Sequence, residues 1–381
     1  MCEALKAAGN EADVQAKTGL LLDPYFSGSK IGWALKNWPQ LEAAGEHLAV
    51  GTIESYLVYR LTGGKVHVSD ASNASRSALM AIGSGDWDDG LLSLFGVPRA
   101  ILPEICDSAG QLGMTDASLF GAPIAITGMA GDQQAALIGQ SCLEPGQTKA
   151  TFGTGAFVLT QTGRTLPKST NRLLATVAWQ LGGERHYALE GSVFVAGSLI
   201  QWLRDDLGLI DASPDTEPLA RSVEDNGGVY LVPALSGLGA PHWQPHARAA
   251  IHGLTFAAKK AHVARAALEA MAHQTHDLKT AFAADGADWA ELRVDGGMVS
   301  NGWMVQDLAD ILAVEVERPD FVETTALGAA MLAGVGAGLY GSLAEAAVMR
   351  GKVGRFSPAM DGVAREARLA GWKDALGRVL A

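Results

Sequence analysis

The stretch PIAITGMAGDQQAALIGQ, residues 123–140, passes from a strand into a helix across a glycine-rich bend. Pro123 to Thr127 is a short apolar run of the kind a buried strand carries, and Gly128 and Gly131 interrupt it. A helix-forming run opens at Gln133. The same grammar recurs downstream. Lys149–Phe152 and Ala156–Thr160 read as two strands joined by the tight turn Gly153-Thr154-Gly155. Tyr187–Leu189 reads as a strand followed by the helical run VAGSLIQWLRDDL, and His262–Phe282 as one long helix. Leu292–Val294 is a strand ending at Asp295-Gly296-Gly297. Ser300 or Asn301 can cap the helix after it, whose inner face would hold Met304, Leu308 and Ile311. Strands alternating with helices predict an α/β fold, and such folds place ligands where strand ends meet helix starts.

The bulk numbers bound what this fold can do. The 381 residues are 48% hydrophobic and 18% charged, enough for a large core and favouring two domains over one. Acids outnumber bases 41 to 29, a formal charge of -12, with no Lys/Arg cluster. That excludes a backbone-neutralising nucleic-acid binder and argues against docking on anionic membranes. Cys2, Cys106 and Cys142 are odd in number and scattered, so neither a disulfide framework nor a zinc site is expected, and a cytoplasmic setting is the simplest reading. The uncharged segment Thr324 to Ala344 is rich in Ala and Gly rather than Leu and Ile. It predicts a buried helix packed closely on a sheet, then a loop, not a membrane span.

Three places could carry chemistry. Asp132 puts a carboxylate at a glycine-rich strand end, where it can accept a proton from an alcohol; an ordinary helix cap uses the same residue. Gly153-Thr154-Gly155 lets backbone N–H groups approach phosphate oxygens with a hydroxyl beside them, though a plain hairpin turn reads alike. Gly296 and Gly297 before a helix leave bare backbone against which a flat ring can lie, with Asn301 as base-edge donor or cap. Metal binding at His273 and His276, or at His242 and His246, lacks a third ligand. There is no GxxxxGK[ST] P-loop and no GxSxG elbow.

Longer stretches carry a resemblance. YFSGSKIGWALKN (25–37) and AAIHGLTFAAKKAHVARAALE (249–269) resemble the two signatures of the FGGY family of carbohydrate kinases. TGLLLDPYFSGSK, VHVSDASNASR, GMAGDQQAALIGQ, ALEGSVFVAGSLIQWLRD, SGLGAPHWQPHARAAI and RVDGGMVSN resemble its glycerol-phosphorylating members, in their order. The resemblance implies a two-lobed actin/hexokinase/Hsp70-like, ribonuclease-H-like ATPase fold with ATP and Mg²⁺ in the cleft. With a boundary in the turn-rich QSCLEPG (140–146) segment, it implies an N-terminal, polyol-binding lobe over 1–140 and a C-terminal, nucleotide-binding lobe over 141–381. It further implies Asp132 as general base on a glycerol hydroxyl, Tyr25 and Gln133 as hydroxyl partners, and Phe157 against the carbon skeleton. Thr154 would meet the nucleotide phosphates, and Gly197, Gln201, Gly297 and Asn301 would line the nucleotide pocket. No metal ligand is assigned among the residues.

The sequence also departs from that pattern. The family's opening strand with its DxGTT-like turn, and the Arg-Glu pair and Trp that grip glycerol, are not found in it. The expectation is therefore an incomplete first lobe, short by roughly a hundred residues, with an exposed sheet edge, an uncovered apolar face and little activity of the chain by itself. The segment TDASLFG (115–121) is short and free of basic residues, so regulation by a sugar bisphosphate is not expected. Two further readings stand beside glycerol phosphorylation: a kinase of another small polyol or ketose, and a non-catalytic remnant or subunit that binds nucleotide. Homo-oligomerisation is left open.

Overall fold

The computed structural model describes residues 1–381, the side chain of Glu42 excepted. Its centre is a seven-stranded sheet built entirely after residue 147. The strands are β5 (Thr148–Phe152), β6 (Ala156–Gly163), β7 (Leu174–Leu181), β8 (Glu184–Val193), β9 (Glu291–Asp295), β10 (Glu315–Pro319) and β11 (Val353–Phe356). Across the sheet the order is β11-β10-β9-β5-β6-β8-β7. β5 therefore lies in the middle, parallel to β9 and antiparallel to β6. A central strand is covered on both faces, which is why Lys149 and Ala150 are both fully buried on it. Strand β8 runs well past the predicted Tyr187–Leu189, because pairing with β6 on one side and β7 on the other extends it in both directions.

The first 140 residues form smaller sheets. β1 (Val68–Asp70) pairs in parallel with β2 (Glu104–Cys106), and β3 (Ala109–Met114) pairs antiparallel with β4 (Ala125–Gly128). These two-stranded sheets are surrounded by helices, including α1 (Ser27–Asn37) and α2 (Ile53–Leu61). A groove of about 650 Å³ between α1 and α2 is lined by Ile31, Leu35, Trp38, Tyr56 and Tyr59. Trp38 and Tyr56 are about half exposed there, and Ile53 and Leu57, outside the groove on α2, are half exposed or more.

The two halves share one core. Leu20, Leu22, Leu79 and Met80 belong to the same buried cluster as Phe152, Leu174 and Val177. Gly19 stands with φ +74° against β7, where a Cβ would lie 2.6 Å from Ala175 Cβ, and its carbonyl accepts from Ala175 N–H at 2.9 Å. The long helix expected over His262–Phe282 is α5 (Lys260–Ala284), and two others stitch the remainder: α3 (Asp132–Gly139) and α7 (Thr324–Gly336). The segment predicted to pack on a sheet packs on the β3–β4 sheet and, still more closely, on the helix α3. A Cβ on Gly328 would lie 1.8 Å from the Ala135 carbonyl oxygen, and one on Gly139 2.0 Å from that of Thr324. Small residues allow this backbone-to-backbone approach. They encode closeness but not the partner: beside the expected sheet, met where a Cβ on Gly336 would lie 1.9 Å from Thr127 O, stands the unforeseen helix α3. No helix of the chain is long and apolar enough to cross a membrane.

Candidate active site

Asp132 opens α3, and Gly131 occupies the cap position that Asp132 could have held. As a first-turn residue it enjoys the favourable end of the helix dipole while its carboxylate stays exposed. That carboxylate is bound only by its neighbour: Gln133 N–H donates at 2.8 Å and Gln133 Nε2 at 3.4 Å. The bend before it is held from elsewhere in the chain. Gly131 N–H donates to Ser72 Oγ at 2.9 Å, and Ser72 N–H donates to the fully buried Asp70 carboxylate at 3.0 Å. Asp70 also accepts from Ser108 at 2.7 Å, and burial pushes its carboxyl above the usual range despite those donors. No sequence motif around Asp132 announces this support.

Gln133 is gripped at its other end. Lys149 Nζ, on the central strand, donates to Gln133 Oε1 and to Thr151 Oγ1. Tyr25 sits before α1 with its ring edge-on to Phe26 at 5.2 Å. Burial raises its phenol above the ordinary value; the negative charges of Glu190 and Asp132 add to this and Arg76 opposes it, so these groups share one neighbourhood. Arg76 itself pairs with Glu190 at 2.7 Å. Phe157 lies on β6 just past the Gly-Thr-Gly turn, in register with Thr151 on β5 and Ser192 on β8.

The turn Gly153–Gly155 is clamped at the start of α4 (Gly197–Asp205). Gly197 N–H donates to the Gly153 carbonyl at 2.8 Å; Ala196 and Ser198 N–H donate to that of Thr154 at 2.9 and 3.1 Å. The Thr154 side chain remains exposed. A Cβ on Gly197 would approach Gly153 O to 2.6 Å, so the close clamp requires glycine there.

One cavity of about 310 Å³ begins at this turn. Thr154, Gly197, Gln201, Gly297 and Asn301, the five residues read as nucleotide-facing, all line it. Nothing lies within 4 Å of where a Gly297 Cβ would be, leaving a flat floor. Asn301 caps α6 (Gly302–Leu312), its Oδ1 accepting from Met304 N–H at 3.0 Å, and it also lines the cavity. Thr216 and Glu217, which the sequence did not single out, line it too, and Glu217 accepts from Gly302 N–H at 3.1 Å. Tyr25, Asp132, Gln133 and Phe157 lie outside this cavity. The link is the β5–β6 hairpin, with Lys149 reaching Gln133 from β5 and Thr154 at the turn itself.

The histidine pairs hold no metal geometry. His273 is buried and stacked on Trp372 at 5.2 Å. Among the described residues no group of three or more His, Cys, Asp or Glu is arranged to hold an ion.

Against that geometry the comparisons are decisive. The models of the N-terminal and C-terminal domains of the FGGY family of carbohydrate kinases match residues 1–139 and 148–337. The chain belongs to the FGGY family of carbohydrate kinases. It is 56% identical over 379 residues to a glycerol kinase of Rhodospirillum centenum, covering 99% of this chain and 76% of that protein. It is 54% identical over 387 residues to one of Methylobacterium nodulans, covering 100% and 77%. Among solved structures it is similar to the crystal structure of Plasmodium falciparum glycerol kinase with ADP, at a TM-score of 0.92 and 35% identity, covering 100% of this chain and 77% of that one. A ligand-bound xylulose kinase from Lactobacillus acidophilus superposes at a TM-score of 0.86 with 20% identity, a likeness of fold alone. The two-lobed ATPase fold is therefore that of the family's sugar kinases.

Proposed function

We propose that this chain transfers the γ-phosphoryl group of ATP to glycerol, giving sn-glycerol 3-phosphate and ADP. The observation that carries the reading is the free carboxylate of Asp132 at the helix start beside a cleft-forming hairpin, in a chain more than half identical to glycerol kinases. Asp132 takes the proton of the hydroxyl as its oxygen attacks the γ-phosphorus; the bond from phosphorus to the β–γ bridging oxygen breaks, and ADP leaves. Gln133 and Tyr25 orient the hydroxyls, and Phe157 supports the carbon skeleton. Thr154, at the glycine turn, meets the phosphates, and Gly197, Gln201, Gly297 and Asn301 hold the nucleoside. The lobes divide at 140/141 into a polyol side and a nucleotide side.

The residues fit Mg²⁺ as a companion of the nucleotide rather than a resident of the protein. Among the described residues no cluster of carboxylates is arranged to hold an ion and Asp132 is left free to take the proton, while magnesium commonly keeps its waters and binds substrate phosphates. Bound there, it would neutralise phosphate charge.

A coupled ADP-release assay over glycerol, a tetritol and a pentulose tests the reading. Its readout is the ranking of acceptors rather than the absolute rate. Glycerol is expected to rank first. A pentulose ranking first would overturn the substrate, and ADP binding with no transfer to any acceptor would overturn the activity.

A further inference from the structure

Lys149 is an unusual occupant of its position. It is fully buried near the start of the central strand of the sheet, where apolar residues normally sit. Burying an ammonium costs several kcal/mol unless it is paired. Yet among the described residues its Nζ bonds only two neutral oxygens, Gln133 Oε1 and Thr151 Oγ1, and no carboxylate lies within ion-pair distance. Burial pushes its ammonium below the ordinary value, while the more distant charges of Asp295, Glu190 and Asp132 oppose that shift. The charge is thus aimed at two acceptors, one of them the Gln133 side chain next to Asp132.

We infer that Lys149 is a positioning residue that fixes the Gln133 amide as a pure donor toward the reacting hydroxyl. The inference rests on the roles proposed above for Asp132 and Gln133. A glutamine amide offers an acceptor oxygen and a donor nitrogen that a flip would exchange. Lys149 has only donors, so it can bind the oxygen and not the NH₂ group. With Oε1 held by Lys149, Nε2 is left on the side of Asp132 Oδ2, 3.4 Å away. The flipped amide would set NH₂ against an ammonium at one end and oxygen against a carboxylate at the other. A hydroxyl arriving at this corner can therefore accept from Gln133 and donate only to Asp132. That arrangement directs its proton to the base and leaves a lone pair for phosphorus.

The test is a double-mutant cycle in the full chain, reading KM for glycerol and KM for ATP in the wild type, Lys149→Met, Gln133→Ala and the double variant. Thermal unfolding and ADP binding check that each variant folds; if Lys149→Met does not, Lys149→Gln carries the same cycle. Losing a hydrogen bond to a charged group predicts that Lys149→Met raises KM for glycerol about tenfold or more. KM for ATP should stay put. The double variant should be no worse than Gln133→Ala within about twofold, because the lysine acts through that side chain. A folded Lys149→Met with unchanged KM for glycerol, or losses that multiply in the double variant, would overturn the inference and leave the proposed reaction intact. A wild type that does not use glycerol would fail the proposed reaction itself and this inference with it.

Discussion

Arg76, from the first 140 residues, and Glu190, on strand β8 of the large sheet, form an ion pair 2.7 Å long. The Glu190 side chain is only 1% exposed, and the Arg76 guanidinium also lies over the Phe26 ring at 5.5 Å. The pair joins the two halves next to Tyr25. Removing one partner leaves the other charged and buried. Arg76→Met should lower stability by about 3–5 kcal/mol in urea unfolding, whereas replacing both, as Arg76→Met with Glu190→Leu, should recover most of the loss. A double variant less stable than the single would contradict this.

Much of the site is legible in the sequence because its signals are local. A carboxylate after a glycine bend, a Gly-Thr-Gly turn and paired glycines before a cap each sit within a few residues, and five predicted residues meet in one cavity. What stayed hidden is held across the chain. Ser72 supports Gly131 from 59 residues away and Arg76 meets Glu190 across 114. Lys149 looked like one strand residue among others, since no periodicity shows which way a central-strand side chain ends. The helix α7 was readable as tightly packed, but not as packed on α3.

That helix pair gives a contrast between two glycines. A methyl at Gly328 would meet the Ala135 carbonyl at 1.8 Å, while one at Gly377 in α8 (Gly362–Leu380) meets nothing within 4 Å. Overpacking predicts that Gly328→Ala costs about 1–3 kcal/mol and reduces turnover, because it displaces the helix that carries Asp132. Gly377→Ala should instead stabilise by about 0.5–1 kcal/mol. Chemical denaturation of both variants checks the signs; two changes of the same sign would contradict the packing.

Acid should loosen the fold through His273. Burial holds its imidazole well below the ordinary value, with the Arg368 charge adding to this. The folded state keeps it neutral while the unfolded state takes a proton below about pH 6.5. Stability contributed by this group is therefore full above that pH and falls by about 1.4 kcal/mol per unit of pH beneath it. His276, also shifted down by burial, adds to the slope. His273→Phe should flatten the fall in unfolding free energy between pH 6.5 and 5; an unchanged slope would count against the assignment.

The thiol of Cys142 is fully buried, and burial pushes it up to about 12. A thiolate-directed alkylating reagent at pH 8 should leave it unmodified in the native protein and label it only after unfolding. Peptide mapping by mass spectrometry would show this, and labelling without loss of structure would contradict it.

The proposed chemistry depends on the exposed carboxylate at position 132. Asp132→Asn keeps the shape and removes the proton acceptor. Steady-state phosphorylation of glycerol by this variant, with ADP binding measured alongside, should show kcat reduced by about 10²–10⁴-fold and nucleotide affinity unchanged. A variant that forms glycerol 3-phosphate at the parent's rate would contradict the assignment of Asp132 as the base.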